Sequence, residues 1–239
     1  MTLLTICQNV ANMAGVKSPA AVVGSSEETA VLLAACANRA GKSLLKRHNW
    51  LSLTKEHTFS TAASTANYAL PADYDRLVDG TLWDRNNYER IRGPLSPQEW
   101  QLHKSSVLAS TVTTWKRFRI RRVSGATEFY IDPTPDSVES LVFEYVSSYW
   151  SEDLAGDGHV VWGADDDVGV IDEYLIELET TWRFLNRLGL SYEEEYNEAQ
   201  KEINQAIARD GGSPTLSLNR RRGVQLLGSH NVPSTGFGA

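Results

Sequence analysis

The sequence predicts an α+β fold: a helical bundle split in sequence by an inserted, mostly antiparallel β domain and followed by an extended C-terminal arm. Three observations predict it. Apolar residues recur at helical spacing at both ends of the chain, the period changes to two after Trp50, and residues 211–239 carry neither pattern. The expected units are residues 1–49 (helical domain, first half), 50–150 (β insertion), 151–210 (helical domain, second half) and 211–239 (arm).

The first helix is read from Leu3, Ile6, Cys7, Val10 and Met13, with Gly15 as its stop. Lys17-Ser18-Pro19 makes a turn, and Ser25 with Glu28 spells a capping box for a second helix that runs to about His48. Ala30, Ala34, Ala35, Ala37 and Ala40 keep this helix slim, so a neighbour can approach closely. From Leu51 to Phe59 apolar and polar residues alternate, the mark of a half-buried strand. Asn67–Leu70 adds a short strand. Arg76–Trp83 and Tyr88–Ile91 flank an Asp84–Asn87 hairpin turn. Ser96, Pro97 and Glu99 open a compact helix, as serine cap, first-turn proline and box glutamate. Thr113–Val123 and Thr127–Ile131 flank a turn at Ser124-Gly125, and Ser140–Trp150 is the last strand.

Helical period returns with Ile171, Tyr174, Leu175, Leu178, Trp182, Leu185 and Leu188, ending at Gly189. Ser191 and Glu194 form another box, and Tyr192, Tyr196, Ala199, Ile203, Ala206 and Ile207 line one side of a final helix stopped by Gly211-Gly212. These apolar faces need partners, and the first two helices are expected to supply them. In residues 211–239, Gly, Pro and Ser make up 12 of 29 positions. A segment of that composition is expected to order only against a partner.

Composition narrows the function. The chain has 239 residues with a net charge of −7, unevenly spread. Residues 1–123 hold 9 acids and 16 bases; residues 124–210 hold 21 acids and 4 bases; the arm has only Arg220, Arg221 and Arg222. The most apolar run, Ala30–Ala37, is eight residues long, against the ~20 that span a bilayer, so no membrane partner is expected. The N-terminus lacks the basic start of a signal peptide. Cys7 and Cys36 have no metal or redox spacing and read as small core hydrophobes.

No motif points to catalysis, and no cofactor is expected. Gly41-Lys42-Ser43 resembles the end of a phosphate-binding loop, but the pattern needs glycine at position 36, where Cys36 stands. Asp165-Asp166-Asp167 reads either as acids capping the helix that follows or as ligands of a hard cation. His48, His57, His103, His159 and His230 are scattered. The strongest charge signal is residues 115–122. On a strand, Trp115, Arg117, Arg119 and Arg121 share one face, with Phe118 and Ile120 turned inward. Such a face suits an acidic neighbouring subunit, plain solvent, or a nucleic-acid backbone with the ring free to stack. The acidic block repels phosphates and suits a passage through which DNA slides, or a basic partner.

The order of these pieces resembles the head-to-tail adaptor proteins of tailed phages, the group that includes tail tubular protein A of short-tailed phages. The residues that carry the likeness are Leu44–Trp50 at the helix exit, Tyr68-Ala69-Leu70-Pro71-Ala72-Asp73-Tyr74-Asp75-Arg76-Leu77-Val78, Leu82-Trp83-Asp84, Phe129–Pro133 and Leu141–Tyr145. The resemblance implies a structural, non-enzymatic virion protein at the head–tail junction, assembled in the host cytoplasm. It implies a ring, a dodecamer, around a channel for genomic DNA. The arm would dock on the portal, with Arg220, Arg221, Arg222, Leu226, Leu227 and Phe237 as candidate contacts. The β part would face a tail nozzle or tube protein, and Trp115, Arg117, Arg119 and Arg121 are candidates for subunit or DNA contact. The rival readings are a nucleic-acid-binding protein using residues 115–122 and a tail-associated hydrolase.

Overall fold

A computed structural model describes residues 1–105, 116–123 and 125–211. Helices flank a β region, as the periodicities predict. Helices α1 (Leu3–Met13) and α2 (Glu28–Arg47) come first, α3 (Pro97–Ser105) lies within the β region, and α4 (Glu173–Leu188) and α5 (Glu193–Asp210) close the described chain. The strands are β1 (Thr54–Ser60), β2 (Asn67–Ala69), β3 (Tyr74–Leu77), β4 (Trp83–Asp84), β5 (Glu89–Arg90), β6 (Arg117–Val123), β7 (Ala126–Asp132) and β8 (Ser140–Ser147), then the two-residue β9 (Ser151–Glu152), β10 (Gly158–His159) and β11 (Val168–Gly169). Leu51–Leu53, expected to begin the first strand, form a 3-10 turn instead.

Helix termini follow local chemistry, with two exceptions. Thr2 caps α1 through the Thr5 amide, and α4 stops at Gly189 in the left-handed conformation, φ 74°. Ser96 and Glu99 complete their box: the Ser96 amide donates to Glu99 Oε2 at 2.8 Å, and the Glu99 amide to Ser96 Oγ at 3.2 Å. The boxes expected at Ser25 and Ser191 do not form. Both helices start later than the box requires, at Glu28 and Glu193, so neither glutamate reaches the third helical position. At α5 the acids Glu193, Glu194 and Glu195 fill the first turn instead, where the helix dipole favours negative charge.

Strand β8 organises the β region. It pairs antiparallel along its length with β1, from Thr54 opposite Val146 to Ser60 opposite Ser140, and carries β3 and β4 on its other edge. A second sheet, in the order β2-β7-β6, is built on the β6–β7 hairpin, with Gly125 at φ 90° in its turn. The aromatic rings of Phe59, Phe118, Phe129 and Phe143 fill the space between; Phe118 stacks on Phe129 at 5.0 Å and Phe129 on Phe143 at 6.1 Å. Around them Leu82, Ile91, Ile131 and Leu141 complete one apolar core.

A second core joins the two ends of the chain. Leu3, Ile6 and Val10 of α1, Leu33, Ala37 and Leu44 of α2, Leu175, Ile176 and Phe184 of α4, and Ile203 of α5 pack together, so the late helices bury their apolar stripes on the early ones. Cys7 and Cys36 are buried in it; burial above all, with Asp165 and Cys36 nearby, pushes the Cys7 thiol up to about 12. Val146 in β8 and Trp150 just after it also belong to this core, which ties the β region to the bundle. The Trp150 ring lies against the backbone of α2 at Gly41, donates from Nε1 to the Val160 carbonyl at 2.9 Å, and meets Trp162 edge-on at 5.1 Å. Gly41 is therefore a packing position in the middle of a helix, where no strand–loop–helix phosphate site exists.

The three aspartates at 165–167 do not cap α4; that role falls to Asp172, which accepts from the Tyr174 amide at 3.0 Å. Asp165 instead accepts from the amides of Val22 and Val23 at 3.1 and 2.7 Å, and Asp167 from those of Gly163 and Ala164 at 2.6 and 3.0 Å. The carbonyls of Asp167 and Asp165 take the amides of Leu3 and Leu4 at the start of α1. The acidic loop thus fastens the start of α1 and the α1–α2 connection by satisfying their backbone donors. Among the described residues no group of three or more ligating side chains is placed to hold a metal ion, and no helix is long and apolar enough to cross a membrane.

Candidate interaction surfaces

The arginine strand is built as its alternation predicts. Phe118 is buried and Ile120 packs beside it on the inner face, while Arg117, Arg119 and Arg121 share the outer one. Their neighbours on β7 are Asp132, Tyr130 and Glu128 respectively. Arg117 is tied to α3, its Nη1 lying 3.3 Å from His103 Nδ1, and His103 Nε2 is 2.6 Å from Asp132 Oδ2, with Lys104 on the other oxygen. Arg121 stacks on the Tyr130 ring at 4.0 Å, and the Tyr130 hydroxyl donates to Glu128 at 2.6 Å. Two of the three arginines are thus engaged within the chain. Arg119, half-buried between them, has no ion-pair partner among the described residues. Trp115 lies outside the described residues, as do Arg220, Arg221, Arg222, Leu226, Leu227 and Phe237.

Lys116 points to the inner side and is held between Asp84 and Glu139, at 2.8 Å from Asp84 Oδ2. Burial alone would raise the Asp84 carboxyl. Hydrogen bonds from Lys116, Asn87 and the Asn86 amide outweigh burial and hold it below the ordinary carboxylate value. These same bonds form the β4–β5 turn. Asp73, in the Tyr68–Val78 segment, is a second such anchor. Lys55, Tyr145 and Ser147 each donate to it at 2.8 Å, and their bonds outweigh burial to lower its carboxyl.

A surface that periodicity did not single out lies on the helical unit. Trp182, read as a core position, forms the floor of two adjoining hollows, one of about 370 Å³ toward Arg39 and Arg187 and one toward Tyr192 and Tyr196. Tyr196 meets Trp182 edge-on at 5.2 Å, and the Arg183 guanidinium covers the indole at 4.3 Å while gripping the buried Glu179 at 2.6 and 3.1 Å. Glu179 also faces Arg47 at 3.4 Å. Tyr196 (39% exposed), Leu188 (40%) and Leu190 (46%) keep apolar area in solvent here. The signal in the sequence was the pairing of this apolar stripe with Arg183 and Arg187 at i, i+4 beside it.

Among the described residues these surfaces hold no group of side chains placed to bind a metal ion. No curated protein matches the chain at a significant level. A family model described as SU10 adaptor protein matches residues 1–221, both helical ends and the whole β region between them, and the chain accordingly belongs to that family of phage structural adaptors.

Proposed function

We propose that the chain is a ring-forming virion protein at the head–tail junction, joining the portal to the tail and leaving a passage for DNA. The family match over residues 1–221 carries this reading. In it the ring is a dodecamer, assembled in the host cytoplasm, and the protein has no chemistry of its own. Residues 211–239 form the portal-docking arm, using Arg220–Arg222, Leu226, Leu227 and Phe237. The β region meets a nozzle or tube protein, and Trp115, Arg117, Arg119 and Arg121 are its candidates for contact with a neighbouring copy or with DNA. The uneven charge along the chain supports contacts between unlike faces of like subunits.

Electron microscopy of the particle containing this chain tests the location and the ring; a chain found anywhere but between portal and tail refutes the reading. Deleting residues 211–239 is expected to leave a folded subunit that no longer co-sediments with the portal, and unchanged co-sedimentation would remove the arm's role. Tight binding of duplex DNA by the purified chain, falling steeply with salt, would favour the nucleic-acid reading instead.

A further inference from the structure

The helical unit presents two surfaces of opposite charge on different sides of α4. The first is the Trp182 surface, with Arg39 of α2 and Arg183 and Arg187 of α4 around the indole. Arg39 and Arg187 are exposed and have no ion-pair partner among the described residues. Acids at this surface include Glu179, already held by Arg183, and Glu193 at the rim, in the first turn of α5. The second surface surrounds Tyr174, 45% exposed. Asp172 caps the helix beside it, Glu177 follows one turn later on α4, and Glu198 and Glu202 stand one turn apart on α5, which packs along α4; after burial, these four acids raise the Tyr174 phenol. Glu177 is held by Asn9 and Asp172 caps α4, but Glu198 and Glu202 make no ion pair among the described residues.

At 3.6 residues per turn, Arg183 and Arg187 lie about 180° and 220° round α4 from Tyr174, and Arg187 about 20 Å along it. One chain therefore cannot bring the two surfaces together. We infer that they meet between copies: the basic, aromatic surface around Trp182 of one subunit receives the acidic surface around Tyr174 of the next. The inference rests on the ring reading and names its seam. Each surface offers exposed aromatic area of the kind that anchors protein interfaces, and each carries the charge the other lacks. Because the two patches differ, the contact is heterologous, and repeating it head to tail closes a ring where the rotation between copies divides a full turn.

Charge exchange in the full-length protein tests this. Arg39→Glu with Arg187→Glu reverses one surface, and Glu198→Lys with Glu202→Lys reverses the other; all four residues lie outside the ion networks that hold the core. In sedimentation velocity over a concentration series, the wild type is expected to form species larger than a monomer, weakened by salt. Each double variant, with wild-type circular dichroism and melting temperature, is expected to lose them. An equimolar mixture of the two variants is expected to regain them, since reversed surfaces complement each other. Association by either variant at wild-type strength, a mixture that stays monomeric, or a wild type that never associates would each overturn the seam. The head–tail assignment would survive all three and falls only to particle microscopy that places the chain elsewhere.

Discussion

Replacing Gly41 by alanine should destabilise the protein, although alanine is the better helix former. In an unpacked helix the change stabilises by about 1 kcal/mol. Here a Cβ at position 41 would lie 2.2, 2.3 and 2.5 Å from Cζ3, Cε3 and Cη2 of Trp150. Ordinary carbon contacts are about 3.5–4.0 Å, so ring or helix must move by roughly 1.5 Å. The ring has little room: it is fully buried, bonded to the Val160 carbonyl and braced by Trp162. Overpacking costs about 1–3 kcal/mol, and loss of the indole bond about 1–3 more. The net expectation, after the propensity gain, is a loss of about 1–5 kcal/mol. For a chain of this size that lowers Tm by roughly 2–20 °C. Thermal unfolding followed by circular dichroism at matched concentration measures it. Lys42→Ala, one residue on and exposed, is the control and should stay within about 0.5 kcal/mol. Trp150→Phe should relieve the clash, making the double variant more stable than the summed single effects by about 0.5 kcal/mol or more. An alanine variant as stable as wild type, or additive effects in the double variant, would refute the close approach of ring and helix.

Two further predictions concern the buried charges of the β region. The folded Asp73 carboxyl lies below its ordinary value, so its contribution is present above the ordinary carboxylate range and is lost as pH falls through the folded value. Asp73→Asn should therefore destabilise at neutral pH by about 1–3 kcal/mol and less in acid, and a difference from wild type that stays constant with pH would contradict this assignment. Lys116→Met strands Asp84 and Glu139 against each other out of water and should cost about 3–5 kcal/mol in denaturant unfolding. Adding Glu139→Gln to that variant should recover part of the loss; no recovery would show that the ion triad is not what Lys116 supports.

Much of the fold was legible because its signals are local. The spacing of Leu3, Ile6 and Val10, the alternation of Arg117 to Arg121 and the glycine at 189 are consequences of backbone geometry, which repeats within a few residues. The missed capping boxes at Ser25 and Ser191 are failures of the same local kind. Each motif was present, but the helix began later, after Glu27 and Tyr192, whose side chains make no capping bond. The role of Asp165 was not legible, because the amides it accepts belong to Val22 and Val23, more than 140 residues away in sequence.

The same division holds for the interaction surfaces. By itself the sequence determined the class of fold, the basic–acidic order of the chain and the outward face of the arginine strand, since each depends on composition or on a period. Only the tertiary structure decided that Arg117 and Arg121 are partly spent on His103 and Tyr130, that Gly41 seats a tryptophan, and that Trp182 lies on a surface. Those outcomes depend on which distant side chains share a volume, and close packing of elements far apart in sequence sets that.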